Sequence, residues 1–155
     1  GCSNFTEEMV LKALETHKLD FIQLPYNLVR KDYESQLFTS FKKHRMITMI
    51  YDVLARGLLT GKYKKKVKFE ENDTRNQDQY FKGAYFEAGQ KIIKRLETIG
   101  RRYNKTPSQV AIKWALEQSF INSILIGSKN ASQVSENTDV FEWRLTQEDQ
   151  TELIG

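Results

Sequence analysis

Apolar positions along this chain fall into two alternating spacings, and the order of those spacings lays out the elements. Behind a capping threonine at position 6, Met9, Val10, Ala13 and Leu14 recur three and four residues apart. With Glu7 and Glu8 in the first turn, they predict a helix. The run Phe21-Ile22-Gln23-Leu24, closed by Pro25, predicts a strand. Asp32 is placed to cap a second helix with Leu37, Phe38 and Phe41 on its inner face, and Met46 to Tyr51 predicts the next strand. A long polar stretch over about 62–83 predicts a mobile loop. Ile92, Ile93, Leu96 and Ile99 then mark a helix over about 86–103. Thr106-Pro107, an N-cap followed by proline at the first helical position, opens another helix through about Gln118. The short run Ser123 to Ile126 predicts the last strand, a further helix follows it, and Thr146 with Asp149 forms a capping box for a terminal helix.

Strands separated by helices imply parallel pairing through right-handed crossovers, hence an α/β fold. Three full strands are legible, with the tail of another at Gly1. The strands read as apolar throughout, as in sheets buried on both faces. Three such strands under five or so helices close poorly on themselves and leave open edges. The pattern therefore predicts one half of a barrel with its partner half absent. The opening Gly1-Cys2-Ser3-Asn4-Phe5, without an initiating Met, reads as a loop already leaving something.

Composition narrows the class without naming a function. The 155 residues suffice for one domain with a core, and 39% hydrophobic with 28% charged content is that of an ordinary globular protein. No apolar run reaches membrane-spanning length and no secretory leader is visible, so a cytoplasmic protein without membrane contact is expected. Cys2 is the single cysteine, which rules out an internal disulfide and fits a reducing compartment. The formal charge of +4 gathers in Lys62-Tyr-Lys-Lys-Lys-Val-Lys68, but Glu70, Glu71 and Asp73 follow at once. That balance reads as a solvated loop, not a nucleic-acid surface.

The chemistry concentrates near the C-terminus. After Ile124-Leu125-Ile126 the chain breaks at Gly127 and passes through Ser128, Lys129 and Asn130 into a helix. Such a turn aims free backbone N–H groups, the positive end of a helix dipole and an ammonium at one spot, which suits a phosphate. Behind it Gln133, Glu136 and Asn137 fall at i, i+3 and i+4 on one helix face. An ordinary solvated polar face would show the same spacing.

Five motifs come in one order: Gly1-Cys-Ser-Asn-Phe5; Gln23-Leu-Pro-Tyr-Asn27; Tyr51-Asp-Val-Leu-Ala-Arg-Gly-Leu-Leu-Thr-Gly-Lys62; Thr106-Pro-Ser-Gln-Val-Ala-Ile-Lys-Trp114; and Ile126-Gly-Ser-Lys-Asn-Ala-Ser-Gln-Val-Ser-Glu-Asn137. Order and spacing resemble the aldo-keto reductases over nearly the whole chain, from just after the fifth barrel strand to the C-terminal region. The resemblance implies a (β/α)8 TIM-barrel fold of which this chain, residues 1–155, is the C-terminal half, with the site at the C-terminal ends of the strands. It also implies an NADPH-dependent oxidoreductase that reduces small carbonyls to alcohols by hydride transfer.

The same resemblance assigns residues. Ser3, Asn4 and Gln23 would hold the nicotinamide carboxamide, although by spacing alone Ser3 and Asn4 turn the chain toward Thr6. Tyr51 would stack on the nicotinamide, where a strand tyrosine otherwise reads as packing. Gly57 and Gly61 let backbone approach a pyrophosphate closely, and Leu54, Arg56 and Leu59 join the cofactor-binding set beside them. Lys62 and Arg75 match basic residues that hold the cofactor in long-loop members. Gly127 and Ser128 form the phosphate turn, Lys129 would take the adenosine 2′-phosphate, and Gln133, Glu136 and Asn137 the adenine and its ribose.

Two features depart from the family pattern. Asp52 stands beside the expected pyrophosphate where members mostly carry Ser or Gly, and a carboxylate there repels phosphate unless it turns away or pairs with Arg56. Val53 replaces the commoner proline. No catalytic residue is assigned, because the family's Tyr, Lys, Asp and His all come from the preceding half. His17 and His44 fall near helix C-termini without metal-ligand spacing, so no metal is expected. Cys2 has no nearby His partner and is not a nucleophile candidate. Two readings stand: part of a reductase, or a half-barrel that binds nucleotide, a complementary half or a second copy and catalyses nothing.

Overall fold

The structure, a computed structural model, describes residues 1–31, 37–64 and 68–155, with the backbone alone at Leu37. The Asp32 cap, the Leu37 side chain and part of the basic run lie outside the described residues. Four strands, β1 (Cys2–Ser3), β2 (Phe21–Pro25), β3 (Ile47–Tyr51) and β4 (Ser123–Ile124), form one parallel sheet in chain order. Ser3 pairs with Gln23, Gln23 with Met49 and Met49 with Ser123. Among the described residues six α-helices intervene or follow: α1 (Glu7–Leu14), α2 (Leu37–Lys43), α3 (Gly83–Tyr103), α4 (Pro107–Leu116), α5 (Ala131–Thr138) and α6 (Gln147–Ile154). None of them is long and apolar enough to cross a membrane.

Local chemistry explains most of the boundaries. The Thr6 hydroxyl accepts from the Met9 N–H at the start of α1. Reciprocal capping boxes open α4 at Thr106 and Gln109 and α6 at Thr146 and Asp149. Helix α3 ends where Asn104 turns left-handed at φ +54° and its N–H returns to the Gly100 carbonyl. Elsewhere the bounds shift: α3 begins three residues before Phe86, α4 stops two short of Gln118, and β3 begins at Ile47. The last strand keeps only Ser123 and Ile124, though the Leu125 N–H still donates to the Ile50 carbonyl at 2.7 Å.

The sheet corrects the expectation that both faces are covered. Ile22, Leu24 and Ile50 are fully buried and join one core with Val10, Phe41, Leu96, Ile112 and Trp114. Their neighbours along the strands point the other way, and Phe21 and Ile47 remain 43% and 51% exposed. This parallel sheet has one helix-packed face and one open face, which the apolar runs alone did not distinguish.

The stretch over 62–83 also differs from a featureless loop. Asp73 caps a 3₁₀ turn at Thr74–Asn76 and Asp78 caps another at Gln79–Phe81, each accepting a backbone N–H. Tyr80 and Phe81 are buried, and Tyr63, Phe69 and Phe81 meet edge to face with centroids 4.8–5.4 Å apart. Residues 68–82 thus form a strap pinned by aromatic side chains.

Candidate functional site

A cleft of about 590 Å³ opens beyond the ends of β3 and β4. The segment after β3 forms one wall through Asp52, Leu54, Arg56, Gly57 and Lys62, and Arg75 reaches in from the strap. The opposite wall is Gly127, Lys129 and the α5 face that carries Gln133, Glu136 and Asn137. Thr106, Pro107 and Ser108 at the start of α4, which sequence reasoning did not assign, also line it. Their cap-and-proline pattern marked a helix start and gave no sign of which way it faced.

The wall after β3 is shaped by unusual backbone. Asp52, Ala55 and Arg56 all adopt left-handed φ of 48–62°, and Gly57 lies at +95°, where a side chain would be strained. The Ala55 N–H closes the turn onto the Asp52 carbonyl at 2.8 Å. Leu59 lies apart from the other assigned residues: its side chain is wholly in the core, and its N–H donates to the Leu54 carbonyl. It presents nothing to the cleft.

Charges in the cleft divide into bound and free. Arg56 donates to the Thr74 hydroxyl at 2.7 Å and pairs with Asp78 at 3.3 Å. Arg75 is clasped by Asp73 through several bonds, donates to the Tyr63 hydroxyl at 2.7 Å and lies 4.4 Å over the Phe69 ring. Those bonds hold the Asp73 carboxyl down at about 2 and raise Arg75 further above its ordinary value. Sequence reasoning marked neither Asp73 nor Asp78 as a partner of the two arginines. The ammonium groups of Lys62 and Lys129 have no hydrogen-bond or ion-pair partner among the described residues, although the charge of Lys129 reaches Asp73. Burial pushes the Asp52 carboxyl up; the nearby Arg56 opposes this and Asp78 adds to it.

The phosphate turn is less open than its sequence implies. The Lys129 N–H donates to Gln133 Oε1 at 2.8 Å, and the Gln133 N–H donates to Asn130 Oδ1 at 2.9 Å. Those two backbone donors are therefore taken by side chains of the turn itself. Ser128 does not line the cleft; its hydroxyl accepts from Asn137 Nδ2 at 3.1 Å. Glu136 accepts from the Thr106 hydroxyl at 2.8 Å, which ties α5 to the start of α4. No glycine is demanded at Gly127 by space, since an added Cβ would meet nothing within 4 Å.

Ser3, Asn4, Gln23 and Tyr51 form a second group at the strand ends, outside the cleft lining. Register puts Ser3, Gln23 and Tyr51 on the open face of the sheet. Asn4, left-handed at φ +58°, donates its N–H to the Gln23 carbonyl at 3.0 Å and its side-chain amide to the Ser3 hydroxyl at 3.2 Å. The Tyr51 hydroxyl donates to Asn4 Oδ1 at 2.8 Å. The groups adjoin through the Tyr51–Asp52 bond, so one extended ligand can address both. No cluster of three metal-ligating side chains occurs among the described residues.

This arrangement can hold a phosphorylated ligand electrostatically: two ammonium groups are unengaged, and a polar helix face stands behind one of them. Comparisons with known proteins agree with the fold. The chain is 31% identical over 154 residues to the aldo-keto reductase YhdN of Bacillus subtilis (strain 168), covering 99% of this chain and 46% of that protein. It superposes on the glycerol dehydrogenase AKR11B4 from Gluconobacter oxydans with a TM-score of 0.86 at 31% identity, covering 99% of this chain and 46% of that one. A likeness of fold alone, with a TM-score of 0.68 at 20% identity over 98% of this chain and 44% of the other, links it to a variant of Gox0644 solved in complex with NADPH. The chain spans about half the length of the curated relatives it matches, their C-terminal half, and its four parallel strands are part of a (β/α)8 barrel. Since residues 1–154 match the aldo/keto reductase family as a whole, the chain belongs to that family.

Proposed function

We propose that this chain supplies the NADP(H)-holding half of a reductase that interconverts small carbonyls and alcohols. The observation that carries this reading is the unpaired Lys129 ammonium at the cleft wall, with Gln133, Glu136 and Asn137 beside it on α5. In that assignment Lys129 takes the 2′-phosphate, the α5 face takes adenine and ribose, and Lys62 with the left-handed segment after Asp52 takes the pyrophosphate. Ser3, Asn4 and Gln23 orient the carboxamide, and the Tyr51 ring packs on the nicotinamide. When bound, the nicotinamide gives or accepts hydride. This chain's residues bind and orient it, while the proton-transferring Tyr with its Lys, Asp and His belongs to the preceding half of a family barrel. The NADPH complex of Gox0644 supports the choice of cofactor.

The test is a fluorescence titration of NADPH and NADH with the chain and with Lys129→Ala. A charge-assisted bond to phosphate predicts about a tenfold loss for NADPH and little change for NADH. Equal losses would refute the 2′-phosphate role. No binding by a chain with a folded circular dichroism spectrum would overturn the cofactor assignment.

The open sheet face favours a second, compatible reading of what covers it. Phe21 and Ile47 are large apolar side chains left exposed on the face that a barrel encloses. A complementary half-barrel is the partner that matches them, with a second copy of this chain as the alternative.

A further inference from the structure

Asn27 lies outside both groups assigned to the ligand, yet it is fully buried just after β2. Its side chain makes all four hydrogen bonds that a primary amide can make. The Oδ1 accepts from the N–H groups of Val29 and Arg30, each at 2.9 Å. The Nδ2 donates to the Asp52 carbonyl and to the Tyr80 hydroxyl, each at 3.0 Å. The first pair makes an ordinary local turn. The second pair joins residues 25 and 53 positions away, in two segments distant in sequence.

We propose that Asn27 is a positioning residue that locks the strap to the left-handed segment after β3, so that the cleft opens and closes as one unit. The proposal rests on the reading of that cleft as the cofactor site. The carbonyl that Asn27 grips is the one that closes the turn on the Ala55 N–H, so its orientation sets the path through Arg56 and Gly57. Left-handed backbone at three non-glycine residues is costly and persists only where neighbours hold it. Asn27 is such a neighbour. Through Tyr80, whose ring is buried beneath the strap, the same amide holds the strap against that segment.

A second link runs in parallel on the surface, from Arg56 to Thr74 and Asp78. Arg56 is partly exposed, so salt weakens that link. The Asn27 link is buried and uncharged, and salt leaves it intact. Coupling that survives high salt therefore separates the two.

Replacing Asn27 itself would strip four bonds and risk the fold. Tyr80→Phe removes one oxygen and keeps the buried ring. In 0.5 M salt and without cofactor, amide hydrogen exchange across 52–57 and across 74–82 should accelerate together by about fivefold, the loss of the hydrogen bonds that the Tyr80 hydroxyl makes with Asn27 and Arg30, beyond any change in α4. In parallel, NADPH should dissociate about fivefold faster with little change in its association rate. Acceleration confined to 74–82, or none beyond that of α4, overturns the coupling whether or not cofactor binds. If exchange changes as expected but the unsubstituted chain binds no NADPH, the coupling holds and the cofactor reading fails. If exchange couples and binding occurs but the dissociation rate is unaltered, the role in positioning the cleft is refuted.

Discussion

At Asp52 the cleft carries a carboxylate as well as the free ammonium groups of Lys62 and Lys129. Burial raises its proton affinity, and Arg56 limits the rise. The protonated side chain is neutral, so the repulsion of a pyrophosphate appears only as pH climbs through the raised value. NADPH affinity should accordingly fall as pH rises through that value in the unsubstituted chain, and Asp52→Ser should flatten that fall. Isothermal titration should find the serine variant about fivefold tighter at a pH above that value and nearly equal at a pH below it. Taking the ratio of the two proteins at each pH cancels ionisation of the cofactor. The same raised value affects folding. A carboxyl that holds its proton more tightly when folded favours the fold below its ordinary value, and that contribution is lost as pH rises through the folded one. An equal ratio at both pH values would show that the carboxylate faces away from the ligand. At this scale the sequence was informative through the family resemblance: Asp52 stood out as a carboxylate where members mostly carry Ser or Gly. Whether it is buried, and that Arg56 is shared with Asp78, depends on a strap about twenty residues away.

Between elements, the tightest approach is that of α3 to the turn before α4. A Cβ on Gly100 would overlap the Lys105 carbonyl oxygen, whose own N–H donates to the Gly100 carbonyl at 2.8 Å. Helix propensity favours alanine over glycine by about 1 kcal/mol. Overlap with fixed backbone outweighs it, and Gly100→Ala should destabilise the chain by about 1–3 kcal/mol in urea unfolding. A stabilised variant would show that the turn yields freely. Helices were the best-read elements because their signals are short-range: Thr6, Thr106 and Thr146 each announce a cap within three residues. The strap was read as a polar loop because Tyr63, Phe69 and Phe81 have no helical or strand period. Their meeting is a tertiary fact. The Gly-Ser-Lys turn was found by its residues, but not that Gln133 already occupies the Lys129 N–H.

For the whole molecule, the decisive feature is a parallel sheet with one bare face. Apolar strands looked alike on both sides until the helices were placed, since alternation cannot show which face is covered. The half-barrel was legible all the same, from three parallel-type strands and the tail of another with no closing partner. Exposed Phe21 and Ile47 on that face, together with the absence of an assigned proton donor, lead to one expectation. The purified chain alone should show no NADPH-dependent carbonyl reduction in a spectrophotometric assay, and measurable turnover would refute the division of labour proposed above.

The bond from the Lys129 N–H to Gln133 has one more consequence. It fixes the polarity of an amide that could otherwise rotate: the Gln133 oxygen is engaged, leaving its two N–H groups to face outward. Asn137 is fixed in the opposite sense, because its N–H donates to Ser128 and its oxygen is left available. One turn of α5 thus displays a donor next to an acceptor. Adenine offers the mirror pattern, an amine beside a ring nitrogen, whereas guanine's corresponding edge carries two acceptors. In the proposed nucleotide site, base selection would then rest on two side chains whose orientation is set by Lys129 and Ser128 before any ligand arrives.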